Sequence, residues 1–284
     1  MSKVVSLAEA VATVEDGSHV ALGGFAITRC AVAAAHELIR AGKRDLQVSQ
    51  VTGGLDTDLL AGGGCVRKIV SSGGSIDRFG PLYAANRRIL NGEIDFEEFS
   101  SLSVTLRFHA AALGLPYLPA RSMLGSDLLG NLLGRSDGVR LERDPFTGAP
   151  VAALAPLRPD VAFVHADVAD EEGNAVIGGP TWNIRELAFA ARRTVVFAEE
   201  VAPAGSLDPD RVTIPAPFVR SVVLTPFGAH PTAVVGRYDY DRAHLELYAS
   251  AASEGGDAYA RYLDEYVLGV ESHERYLERV GFVP

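Results

Sequence analysis

Short apolar runs that end in glycine, serine or acid, spaced by amphipathic stretches, predict an α/β fold: an open, mostly parallel sheet with helices on both faces. Two observations carry that prediction. Between His19 and Phe99, four apolar runs are each followed by a small-residue turn or a helix start. Farther on, Asp160–Asn174 and Thr194–Val201 are buried-type strands that break into acids, and a charged strand end in such a sheet points at the crevice where ligands sit. At 284 residues the chain suffices for one large α/β unit or two smaller ones. No stretch reads as a linker, so a single unit over 1–284 is expected.

The elements follow in order. Ser6 and Glu9 have capping-box spacing, and an apolar stripe runs through Leu7, Ala10, Val11 and Val14 to a stop at Gly17. His19–Leu22 is a strand ending in Gly23–Gly24, and residues 31–40 form a helix closed by Gly42. Leu46–Val51 is a strand, followed by Gly53–Gly54 and a helix over Asp56–Ala61. Val66–Val70 is a strand opening into Ser71–Ser75. Phe79–Leu90 reads as a helix, Ile94–Phe99 as a strand, and Leu102–Leu113 as a helix ended by Gly114 and Pro116. Glycine, proline and charge then break the rhythm over 126–159, where Arg143–Pro150 predicts an excursion or a short β ribbon. The alternation resumes with the Asp160 strand, a helix over Ile184–Arg193, the Thr194 strand and a strand at Val219–Leu224. Over 240–280, Leu245, Leu247, Tyr248, Tyr259, Tyr262, Leu263 and Tyr266 keep helical spacing, predicting two or three helices over the sheet or a subunit interface.

Hydrophobic residues make up 48% and charged residues 22%, the values of an ordinary globular protein. A net charge of −10 argues against nucleic-acid binding, which needs basic surface. No apolar run approaches the ~18–20 residues that span a bilayer, and no secretory leader is read, so a cytoplasmic protein without a membrane partner is expected. Cys30 and Cys65 read as reduced thiols, and the seven histidines show no zinc spacing, so no metal site is expected. Neither a GxGxxG dinucleotide loop nor a GxSxG elbow occurs.

The candidate site residues lie at strand ends. Gly23, Gly24 and Phe25 form a turn that either brings backbone against a substrate or is plain turn geometry. Ser71, Ser72 and Ser75, with Gly73 and Gly74 between them, offer hydroxyls and free amides suited to a carboxylate or carbonyl oxygen; a plain loop is the competing account. Ser101 opens a helix as an oxyanion donor or as a cap, a role Ser100 fills equally well. Glu199 and Glu200 are tempting as nucleophiles, against a loop-anchoring role. Trp182, the only tryptophan, reads as packing or interface before substrate stacking, and His165 as a strand-end hydrogen-bonding group.

Taken in sequence, Ala21–Phe25, Ala112–Pro119, His165–Asn174, Thr194–Val201 and Ile214–Pro215 resemble the alpha subunits of the class I coenzyme A transferases. Phe227–Pro231 with Tyr238–Asp241 is closer to the glutaconate transferase branch than to the 3-oxoacid branch. The resemblance implies one half of a hetero-oligomer that moves CoA between an acyl-CoA and a free carboxylic acid. The coenzyme A thioester is then a substrate, and no cofactor is bound permanently. It places the nucleophilic glutamate on a beta subunit, leaving no catalytic residue in this chain and an anchoring role for Glu199 and Glu200. Where the 3-oxoacid branch carries an oxyanion-forming glutamine, and a ring-opening hydrolase branch of steroid catabolism a catalytic glutamate, this chain has Ser101. That departure weighs against the hydrolase alternative; a non-catalytic ligand-binding homologue is the third reading. Under a partner that roofs the site, the crevice should be shallow, with Phe25 and Trp182 under-buried for their size.

Overall fold

The computed structural model describes residues 2–282. Helix α1 (Leu7–Ala12) starts at Ser6, whose hydroxyl accepts from the Glu9 amide while Glu9 reaches back to the Ser6 amide: the capping box is formed. Strand β1 (His19–Leu22) leads to α2 (Val32–Arg40), β2 (Leu46–Ser49) to α3 (Leu55–Gly62), and β3 (Val66–Ser71) to α4 (Tyr83–Leu90). Strand β4 (Asp95–Glu98) is followed by α5 (Ser101–Ala112). The helix read from Phe79 starts four residues late. Asp77–Phe79 makes a 3₁₀ turn, Gly80 takes φ +123°, and Pro81 follows, a backbone no helix can continue.

The excursion folds into β5 (Leu118–Ala120), α6 (Asp127–Leu132), β6 (Val139–Arg143) and β7 (Pro150–Leu154), with the three strands in a separate antiparallel sheet ordered β5-β7-β6. Then come β8 (Val161–Asp170), β9 (Ala175–Val176), α7 (Ile184–Ala190), β10 (Thr194–Ala202) and β11 (Val219–Leu224). Helix α7 stops before Arg193 because Ala191 is already extended, feeding β10. Helices α8 (Arg242–Glu254), α9 (Gly256–Leu263) and α10 (His273–Arg279) close the chain.

The main sheet runs β11-β10-β8-β1-β2-β3-β4, with every neighbour on that path parallel and β9 antiparallel beside β8. Strand alternation divides the core in two. Val20, Leu22, Phe163, Val195 and Phe197 pack under α1–α4, α8 and α9. Ala21, Ala162, Val164, Val196 and Ala198 pack toward α5, α7 and the small sheet. From β1 the order grows outward through β2, β3 and β4; from β8 it grows the other way through β10 and β11. The reversal lies between β1 and β8, whose next helices, α2 and α7, take opposite faces.

The C-terminal helices are fixed by a buried polar cluster that the sequence pattern leaves unassigned. Asp58 accepts from the Ala85 amide (2.8 Å) and the Tyr248 hydroxyl (2.7 Å), while Asp56 accepts from the Ala31 amide (3.0 Å), so the first turn of α3 caps the starts of α2 and α4. Burial pushes both carboxyls up to about 6, the hydrogen bonds opposing it. His230 bonds Tyr276 and Asp241, His244 bonds Tyr262, and His273 bonds the Pro226 carbonyl. Burial lowers His244 and His273 to about 4 and drives the fully buried His36 far below its ordinary value. Leu247, counted in the apolar stripe, is 44% exposed.

Candidate functional site

Because the strands are parallel, the loops after β1, β2, β3, β4, β8 and β10 all leave one edge of the sheet. Glycines let three of them meet backbone to backbone. Gly24 has φ +85°, and a Cβ there would lie 2.4 Å from the Arg29 carbonyl oxygen. A Cβ on Gly54 would lie 2.5 Å from the Ala26 carbonyl, and one on Gly74 2.6 Å from that of Gly53. Gln50, which sequence reasoning passed over, ties the loops together: Nε2 donates to the Gly23 carbonyl, and Oε1 accepts from the Gly54 amide and the Thr57 hydroxyl.

The serine loop differs from expectation in one respect: the amides of Ser72, Gly73 and Ser75 are engaged. The Ser72 amide donates to Val51, the Gly73 amide to Ser71 Oγ and the Ser75 amide to Gly53. Ser71 Oγ closes back on Gly73, and Ser75 Oγ accepts from the Asp77 amide. Ser100 caps α5, accepting from the Ser103 amide at 3.1 Å, so Ser101 is relieved of that task. Ser101 Oγ donates to Ser72 Oγ at 2.9 Å, and Ser72 donates onward to the Val51 carbonyl at 2.6 Å. With both protons committed in that chain, Ser101 offers lone pairs outward; donating to an oxyanion requires it to leave Ser72. Glu98, also passed over, ends β4 exposed and unpaired among the described residues, its Oε1 4.0 Å from where a Gly73 Cβ would lie.

Glu199 and Glu200 sit on β10, five strand positions from β4, or roughly 24 Å at ~4.8 Å per strand. Strand order thus sets them apart from the strand that leads to Ser101. Glu199 is buried, accepting from the Phe227 amide (2.6 Å) and the Tyr238 hydroxyl (2.7 Å), with His165 Nε2 at 2.8 Å in ion-pair range but off hydrogen-bond alignment. Burial pushes its carboxyl up, but His165, Tyr238 and the amide outweigh that and hold it below the usual range. Glu200 pairs with Arg237, which also reaches Asp167 at 3.3 Å. Both acids thus anchor the segment 227–238.

Phe25 and Trp182 meet at this edge, rings 5.4 Å apart and 14° from parallel. They are 38% and 40% exposed, whereas Phe99, Phe108, Phe163 and Phe197 are 0–1%. Trp182 is therefore not core packing. Behind the rings, the fully buried Arg29 pairs with Asp167 (2.7 Å) and donates to the Gly178 carbonyl (2.6 Å), and the Gly178 amide donates to Asp167. Recessed grooves instead open at the opposite edge, one lined by Glu15, Asp16, Asp160 and Arg192, another by Lys3, Phe218 and Arg220. Among the described residues no cluster of metal-ligating side chains occurs, and no helix is long and apolar enough to cross a membrane.

A parallel sheet with glycine and hydroxyl loops gathered at its carboxyl edge defines an open-sheet α/β protein. The coenzyme A transferase family model matches residues 4–225, and this chain belongs to that family. The A subunit of glutaconate CoA-transferase from Acidaminococcus fermentans is 34% identical over 99% of this chain and 92% of the relative. The crystal structure of glutaconate coenzyme A-transferase from that organism superposes with a TM-score of 0.93 at 32% identity, over 99% of this chain and 93% of that one. An uncharacterized protein of Archaeoglobus fulgidus is 36% identical over 98% of this chain, which spans 62% of that longer relative. A cholesterol ring-cleaving hydrolase subunit of Rhodococcus jostii is 31% identical over 95% of this chain and 93% of the relative.

Proposed function

We propose that this chain is the alpha half of a two-subunit coenzyme A transferase, exchanging CoA between an acyl-CoA and a free carboxylic acid, with the attacking glutamate on its beta partner. The observation that carries the reading is the state of this chain's own acids. A nucleophilic carboxylate must be free and desolvated at the reacting carbon. Glu199 and Glu200 are hydrogen-bonded or ion-paired, and by strand spacing roughly 19 Å from the strand before Ser72 and roughly 24 Å from the one before Ser101. Glu98 is free but open to water. The chemistry is an exchange of thioesters through an enzyme-bound anhydride and then an enzyme–CoA thioester. In it this chain would supply the floor: the Gly23–Phe25 turn, the Ser72–Ser101 hydroxyl pair and the Gln50 brace.

The hydrolase alternative has its relative at lower identity, and Ser101 has no carboxyl group with which to act as the glutamate of that branch. The test compares the purified chain with the chain co-assembled with a beta subunit, each given acyl-CoA and then borohydride. Exchange and a reduced glutamate are expected only in the complex, and on the partner. A reduced Glu98, Glu199 or Glu200 in the peptide map, with turnover by the chain alone, would overturn the split site.

A further inference from the structure

Phe25 and Trp182 stand where the sheet's strand order reverses. Phe25 leaves β1 and Trp182 follows β8 and β9; these two neighbouring strands send their helices to opposite faces, which opens a crevice above the carboxyl edge between them. Large rings left about two-fifths exposed at that point are not filling the core. The backbone holds them there at a cost: Trp182 has φ +43°, Ala26 φ +52° and Arg29 φ +54°, a left-handed region that bulky residues avoid. Arg29 joins the two loops. It lies four residues after Phe25, and through Asp167 and the Gly178 carbonyl it fixes the segment that carries Trp182. Its Nε and Nη1 are buried without a protein partner among the described residues, so the fold leaves this guanidinium incompletely paired.

The charges around the rings are mutually engaged. Arg29 faces Asp167, and Arg237 faces Asp167 and Glu200, so what the pair presents upward is apolar. Val235, whose side chain lies 3.1 Å from where a Gly179 Cβ would be, extends that surface and is 46% exposed.

We infer that Phe25 and Trp182 form a specificity-determining wall for the apolar body of the acyl group, and that Arg29 is a positioning residue acting through Asp167 and Gly178. The inference rests on the transferase reading and goes beyond it by naming the part of the substrate this chain selects. The wall reaches acyl groups of several carbons and has nothing to grip in an acetyl group.

The test uses the assembled complex and compares kcat/KM for hexanoyl-CoA with that for acetyl-CoA as donors. Trp182→Ala should lower the hexanoyl-to-acetyl ratio about tenfold, the low end of discrimination by a methylene or two in an apolar site, with the loss in the hexanoyl-CoA KM. Trp182→Phe should restore most of the ratio. Arg29→Met should lower the ratio in the same direction and shift the emission of Trp182, the chain's only tryptophan, to the red. An unchanged ratio in Trp182→Ala overturns the wall. So does loss of the beta subunit on sedimentation with the ratio intact in the remaining complex, which would make the rings an inter-chain contact. If the wild-type complex exchanges CoA with no thioester in a panel of straight-chain, branched and dicarboxylic acyl groups, the transferase reading fails first and the wall falls with it; a working enzyme with an unaltered ratio sinks only the wall.

Discussion

The carboxyl edge and the C-terminal helical cap are both rich in polar groups, but they are organised in opposite ways. At the edge, hydroxyls, glycine backbone and two half-exposed rings face outward, held from behind by Gln50 and Arg29. In the cap, Asp58 bonds Tyr248, His230 bonds Tyr276 and His244 bonds Tyr262, all facing inward away from water. That contrast sets where a substitution should register. A buried donor without its acceptor costs about 1–3 kcal/mol, so damage to the cap is read as stability. A surface hydroxyl costs little to remove, so damage to the edge is read as turnover.

Asp58→Ala should separate the two regions most sharply. Two buried donors, the Ala85 amide and the Tyr248 hydroxyl, would lose their acceptor, and urea denaturation should show a loss of about 4 kcal/mol. A loss below about 1 kcal/mol would mean the cap tolerates unpaired groups as well as the edge does. Next is Gly24→Ala, an edge position that should behave like the cap. Its left-handed φ and the backbone oxygen 2.4 Å from the new methyl should together cost about 3 kcal/mol, measured the same way. Near-wild-type stability there would show that the glycine loops are not closely packed.

Acid should act on the cap first. His244 and His273 titrate near 4 when folded and near their ordinary 6.5 when unfolded, so between those limits the unfolded chain binds more protons and stability rises with pH. Asp56 and Asp58, raised to about 6, act the other way: between about 4 and 6 the folded chain binds more protons, and their share of stability falls as pH rises. His36 and His230 are lowered too, so the histidines should prevail. The expected net gain from pH 4 to 6.5 is on the order of 2 kcal/mol, seen as a rising Tm. A Tm that falls across this interval would give the carboxyls the upper hand.

The smallest stability effect belongs to Ser101→Ala. Ser100 already caps α5, so Tm should barely move, while kcat of the complex should drop about tenfold if the hydroxyl meets the substrate. A lower Tm with unchanged kcat would return Ser101 to a structural role.

The alternation of runs and small-residue turns was enough to read the parallel sheet, its helices on both faces, the capping box at Ser6 and the strand end at Leu22, because period-two burial and glycine punctuation are local signals. The start of α4 was misplaced because a helix-like pattern ran across Gly80–Pro81, whose backbone stops a helix. The third strand of the small sheet, β5, was missed because its three residues carry no periodicity. Gln50, Arg29 and Asp58 could not be read at all: each is one polar residue with a partner far along the chain, 27, 138 and 190 positions away. Local pattern thus settles the parallel strands of the main sheet and that their ends carry the polar residues. It took the folded chain to tie down Glu199 and Glu200 far from Ser101, and to bring Phe25 and Trp182 together across the strand-order reversal. Strand order is set by packing between faces remote in the chain, and no local spacing records it.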